Sequence, residues 1–152
     1  MKKLIYLISP NKVDKSFYKS LNKVLAFKNV KFFQLRLKNK KKDTIIRIAK
    51  KIRKITEKYK VKLIINDDPN IVKNSNADGC HIGQKDISIN KAKGILKNKI
   101  IGVTCHGSKT LAKIAFQNNV NYLAFGSFHK SKLKPNAKKS KLNILKWAKK
   151  NT

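Results

Sequence analysis

Carboxylates are what this sequence has least of. In its 152 residues Asp and Glu together number 7 against 38 Lys and Arg, a formal net charge of +31. Each acid can therefore be followed individually. Arginine is also scarce, confined to Arg36, Arg47 and Arg53. Proteins that read nucleic-acid bases and phosphate backbones usually rely on the bidentate guanidinium. Aromatic residues make up 8% of the chain and do not cluster into a stacking platform. Lysines are scattered through every helical segment, not gathered in one arm. Specific nucleic-acid recognition is therefore disfavoured, and the charge reads as compositional drift over solvent faces with nonspecific anion affinity as a by-product. An anionic partner stays open as the alternative: nucleic acid, anionic membrane or phosphorylated small molecule.

Other absences narrow the class. There are two cysteines, Cys80 and Cys105, with no CxxC or Cys/His metal spacing. They read as buried free thiols in a cytoplasmic protein. No apolar run reaches the ~18 residues a membrane span needs. The apolar start extends only from Leu4 to Ile8 before Pro10, too short for a signal peptide and suited to a first strand. Hydrophobic residues make up 41% of the chain and come in periodic runs, which excludes disorder outside the ends. The length suits one domain.

Short β-rich runs predict strands over residues 4–9, 30–37, 62–66, 79–82, 100–105 and 122–125. Helical faces lie between them: Phe17, Leu21, Val24 and Leu25; Ile45, Ile48, Ala49, Ile52 and Ile55; Ile89, Ala92 and Ile95; Leu111, Ala112, Ala115 and Phe116; and Leu142, Leu145 and Ala148. Asp43, before Thr44, is a candidate N-cap, as is Ser108. A short turn or helix follows Pro69, with Asp68 as its turn residue. Six alternations of strand and helix indicate right-handed βαβ units around a parallel sheet. A long basic loop over residues 130–141 follows the sixth strand.

In such folds the carboxyl ends of the strands carry the chemistry. Alternation sends Gln34, Arg36 and Lys38 to one side of the second strand. Three polar side chains there suit an anion at the strand mouth, Arg36 and Lys38 for a diphosphate and Gln34 for a heterocycle; a strand fraying into solvent is the competing reading. Asn66, Asp67 and Asp86, also at strand ends, would suit a hard cation such as Mg²⁺, unless Asp67 and Asp86 are helix N-caps. Gly83 and Gly126 allow close backbone approach. His106 is either an acid/base group or a structural histidine. His129 and Lys134 lie in the basic loop, where Lys134 is a phosphate-binding candidate.

The segments Gln34-Leu35-Arg36-Leu37-Lys38, Ile65-Asn66-Asp67, Ala77-Asp78-Gly79-Cys80-His81-Ile82-Gly83-Gln84-Lys85-Asp86, Ile101-Gly102-Val103-Thr104-Cys105-His106 and Tyr122-Leu123-Ala124-Phe125-Gly126 occur in this order. Over essentially the whole chain this pattern resembles the thiamine phosphate synthase/TenI family. The resemblance implies an α/β, TIM (β/α) barrel-like fold with six βα units present and the last two strands missing. It implies a transferase joining hydroxymethylpyrimidine diphosphate to thiazole phosphate. The residues it carries over are Asp67 and Asp86 for Mg²⁺, Arg36 and Lys38 for diphosphate, Gln34 and Asn66 for the pyrimidine, and Thr104, Ser131 and Lys134 for phosphate oxygens. In Ser131-Lys132-Leu133-Lys134, Leu133 stands where the family usually has a hydroxyl. A full barrel has eight strands and about 200 residues or more. The expectation is thus a C-terminally truncated domain, either active or degenerate, with open edges that a homo-oligomer could cover. A TenI-type thiazole tautomerase using His106 and a non-enzymatic polyanion-binding protein are the alternatives.

Overall fold

The computed structural model describes residues 3–129 and 139–152. In chain order the elements are β1 (Ile5–Ile8), α1 (Lys15–Leu25), β2 (Val30–Leu35), α2 (Lys42–Lys58), β3 (Lys62–Asn66), α3 (Pro69–Ser75), β4 (Gly79–Ile82), α4 (Ile89–Leu96), β5 (Ile100–His106), α5 (Lys109–Gln117), β6 (Tyr122–Phe125) and α6 (Asn143–Asn151). Among the described residues the sheet has 6 strands in sequence order, and every adjacent pair is parallel. Helical crossovers return the chain each time, so all the strands' carboxyl ends meet at one rim.

The sheet is rolled. A flat sheet at about 4.8 Å per strand would hold its outer two strands roughly 24 Å apart. Instead the hydroxyls of Tyr6 on β1 and Tyr122 on β6 are 2.7 Å apart. The result is a half-barrel whose inner face closes on itself while the outer edges of β1 and β6 stay unpaired among the described residues. Leu4, Ile5 and Ile8 remain exposed along the first edge.

Alternation sorts the side chains. Phe33 and Leu35, Leu63 and Ile65, Cys80 and Ile82, and Ile101, Val103 and Cys105 pack outward under the helices, against Leu21, Leu25, Ala49, Ile52, Ala92, Ala112 and Ala115. Both cysteines are free and buried. The intervening positions face the barrel interior. Ser88 and Ser108 cap α4 and α5 through their hydroxyls, as serine at these positions should.

Several boundaries differ from the sequence reading. The β2 ladder stops at Leu35, and β5 runs one residue further to include His106. Lys41, not Asp43, occupies the N-cap of α2. Because the helix starts two residues earlier than an Asp43 cap would set it, Asp43 lies inside its first turn, where a negative charge favours the dipole. On α6 the buried face is Ile144 and Ala148, an i, i+4 pair. Leu142 and Leu145, the predicted inner face, are 68% and 45% exposed.

At the rim opposite the strands' carboxyl ends, Asp78 ties three elements together. Its carboxylate accepts from the Leu63 amide at 2.8 Å and from Arg53 Nη1 of α2 at 2.6 Å. Arg53 also reaches Glu57 one turn on at 3.8 Å. Asp78→Asn is expected to lower stability by about 2 kcal/mol, the scale of hydrogen bonds to a charged group, read as a shift in the urea midpoint with an unchanged slope.

Candidate active site

Interior side chains form two levels. The lower is an aromatic plug: Tyr6 stacks on Phe32 at 5.5 Å between centroids, and Tyr122 tilts against both at 5.5 and 6.0 Å. Tyr122 lies across β5 so closely that a Cβ on Gly102 would sit 1.8 Å from its ring. Only glycine fits beneath it.

Above the plug opens a cavity of about 780 Å³, lined by Gln34, Arg36, Lys38, Asn66, Asp67, His81, Asp86, Thr104 and His106, with the Gly83–Asp86 turn and the end of β6 through Gly126. One hollow thus gathers every candidate from the strand ends. Ser131 and Lys134 lie outside the described residues. His129 is exposed and does not line the cavity. A second hollow, of about 510 Å³, lies on the outer face of α2 and is lined by that helix alone.

The β2 end is held extended beyond its ladder by groups from the loop after β1. The Ser9 amide donates to the Gln34 carbonyl at 2.9 Å, and the Arg36 amide donates to Ser9 Oγ at 2.9 Å. The Lys38 amide donates to Asn11 Oδ1 at 2.6 Å. These contacts keep the alternation running, so Gln34, Arg36 and Lys38 all face the cavity while Leu35 and Leu37 are buried behind them. Neither Ser9 nor Asn11 was legible as a site residue; a serine and an asparagine after a strand read as an ordinary turn.

Asp67 and Asp86 are not helix caps. Asp68 caps α3, accepting from the Asn70 amide at 2.9 Å, and pairs with Lys42 at 2.8 Å. Ser88 performs the capping at α4. Asp67 is left at the rim with a left-handed backbone (φ 67°), a conformation aspartate tolerates better than most residues. Its amide donates to the His81 carbonyl at 2.8 Å, and its carboxylate takes a short ion pair from the Lys38 ammonium. Asp86 turns its carboxylate onto the Gly83 amide at 2.7 Å. Desolvation pushes the Asp86 carboxyl above its usual range, and the neighbouring Asp67 carboxylate adds to this against the Gly83 amide. Two adjacent carboxylates form an all-oxygen donor pair suited to a hard divalent cation. Among the described residues no cluster of three or more His, Cys, Asp or Glu side chains forms, and Mg²⁺ bound with substrate phosphates needs only one or two carboxylates. Arg36 has no carboxylate partner among the described residues. The rim therefore places an uncommitted guanidinium and an ammonium beside two carboxylates.

The family model for thiamine monophosphate synthase matches residues 5–152. The chain belongs to the thiamine monophosphate synthase family. It is 54% identical to a thiamine-phosphate synthase of Pelagibacter ubique, over 99% of this chain and 73% of that one. A thiamine-phosphate synthase of Rhodospirillum centenum is 34% identical over 94% of this chain and 70% of its own length. Among solved structures, a thiamine phosphate pyrophosphorylase from Pyrococcus furiosus superposes with a TM-score of 0.86 at 25% identity, covering 99% of this chain and 71% of that one. The TIM barrel-like fold expected from the sequence is thereby borne out, with six βα units seen.

For this member of the thiamine monophosphate synthase family, the hold of Ser9 on the Arg36 backbone is open to test. Ser9→Ala leaves the half-buried Arg36 amide without its acceptor and is expected to cost about 1–2 kcal/mol. Amide hydrogen exchange should show the loss localised to residues 34–38.

Proposed function

We propose that this chain is a thiamine-phosphate synthase, joining a hydroxymethylpyrimidine diphosphate to a thiazole phosphate and releasing diphosphate. The observation that carries the reading is the rim itself, where Arg36 and Lys38 stand beside Asp67 and Asp86 at the mouth of one cavity. A diphosphate needs cationic donors, and a diphosphate with a divalent cation needs carboxylates as well. A tautomerase has no diphosphate to hold and would leave that pairing without a purpose.

In the proposed reaction the C–O bond to diphosphate breaks first, the electron pair leaving with the diphosphate and a pyrimidine-methyl cation remaining. The thiazole nitrogen then supplies the pair for the new C–N bond. Arg36 and Lys38 stabilise the charge growing on the departing oxygens, an effect strengthened where water is excluded. Gln34, 3% exposed, stays fixed while its amide oxygen accepts from the pyrimidine amino group, and Asn66 flanks the same ring. Thr104 directs its hydroxyl at phosphate oxygen. Asp67 and Asp86 are the residues that would hold Mg²⁺, which would supply further neutralisation of the diphosphate. No general base is demanded. Ser131 and Lys134 remain proposed phosphate contacts from sequence alone.

The same proposal includes a cytoplasmic setting, consistent with the two free thiols, and self-association across the open edges of the sheet. No helix among the described residues is long and apolar enough to cross a membrane.

The test is a thiochrome-fluorescence assay of the purified protein with both phosphorylated half-substrates and Mg²⁺. Thiamine phosphate above background is the expected outcome; a folded protein that makes none overturns the reading. Arg36→Met is expected to lower kcat by roughly a hundredfold. Asp67→Ala should weaken calorimetric binding of Mg²⁺ with inorganic diphosphate, and equally tight binding by the variant would remove Asp67 from the cation site.

A further inference from the structure

A continuous hydrogen-bonded chain crosses the barrel between the plug and the cavity. Gln34 Nε2 on β2 donates to the Tyr6 hydroxyl of β1 at 3.3 Å. The Tyr6 and Tyr122 hydroxyls are 2.7 Å apart. Tyr122 Oη lies 3.0 Å from His81 Nδ1, and His81 Nε2 lies 2.7 Å from Thr104 Oγ1. Five strands thus contribute one side chain each, and the last member lines the proposed substrate cavity. Every hydroxyl in the series has one proton, so the direction chosen at one end propagates to the other.

We propose that this chain is polarised from Gln34 to Thr104, making His81 a positioning residue: it is held as the neutral Nε2–H tautomer and so turns the Thr104 hydroxyl into a donor aimed at substrate phosphate. The inference rests on the synthase reading for the identity of that acceptor, but not for the polarity itself. With the Gln34 amide donating, the Tyr6 oxygen accepts and its proton goes to Tyr122. Tyr122 then gives its own proton to His81 Nδ1. His81 is left with a proton only on Nε2, which it donates to Thr104. The Thr104 oxygen is thereby occupied as an acceptor, and its own proton points to the cavity.

An imidazolium breaks the series. It would donate to Tyr122, which would have to donate to Tyr6, and the Tyr6 oxygen would then receive two protons while its own had no acceptor among the described contacts. Burial supports the protonated phenols on which the relay depends: desolvation pushes Tyr6 up to about 12 and holds Tyr122 well above the ordinary phenol range. The His81 ring is also fixed in plane, stacked on Tyr122 at 5.7 Å and 22°. The reversed polarity, with Gln34 accepting, would have Thr104 donate to His81 and present only lone pairs to an anion. That arrangement would repel phosphate at the very position that lines the cavity.

Nitrogen-15 NMR of histidine-labelled full chain reads the tautomer directly, with the three histidines assigned by His106→Gln and His129→Gln. At neutral pH His81 is expected to show a protonated Nε2 and a bare Nδ1. A protonated Nδ1, alone or in an imidazolium, overturns the proposal whether or not the protein makes thiamine phosphate. Tyr122→Phe keeps the ring over Gly102 and deletes the relay, so His81 should become a mixture of tautomers. Should that variant fail to fold, Tyr6→Phe interrupts the same relay one step earlier. In the active enzyme Tyr122→Phe should cost roughly tenfold in kcat/KM, yet add nothing to Thr104→Val. Additive losses would mean that the hydroxyl acts elsewhere.

Discussion

Parallel pairing in strict sequence order is the constraint on which the rest of this molecule depends. It brings the carboxyl ends of the six described strands to one rim, so residues separated by as many as 116 positions become neighbours without any long loop to carry them. The roll of the sheet adds the second dimension. By bringing β1 against β6 through their tyrosines, it converts a row of strand ends into a walled cavity with a floor.

Within that frame the scarce carboxylates are divided by role. Asp14 and Asp68 cap helices through backbone amides, and Asp78 binds the opposite rim together. Asp67 and Asp86 are held at the cavity mouth, where desolvation and the neighbouring Asp67 carboxylate push the Asp86 carboxyl above its usual range. A chain with cations in such excess can satisfy any surface anion cheaply. The unusual investment is therefore the pair of acids at a site where one would have served as a cap. Lys38 partly compensates it through Asp67, and a divalent ion would complete the compensation.

Much of this was legible in the sequence because period-two alternation is a local signal. It located all six strands and the inward set of Gln34, Arg36 and Lys38, while Ser108 announced a helix start. The errors came where local signals compete. Asp43 looked like a cap, but the helix begins at Lys42. Leu142 and Leu145 have helical spacing, yet Ile144 and Ala148 share the buried face, because neighbouring rows of an amphipathic helix are both apolar here. Tyr6, His81 and Tyr122 carried no sequence signal as a connected group. Their relation is created by curvature, a property of the whole sheet that no window of residues encodes.

Gly102 and Tyr122 carry a consequence for how this protein can change. The ring occupies the space any side chain at residue 102 would need, so the two positions are not independent in sequence space. A larger residue at 102 becomes accessible only after the phenol has been surrendered, and that surrender would also silence the wire running toward Thr104. The glycine is in this sense a ratchet: a site with no chemistry of its own that keeps an evolving lineage from losing its neighbour's.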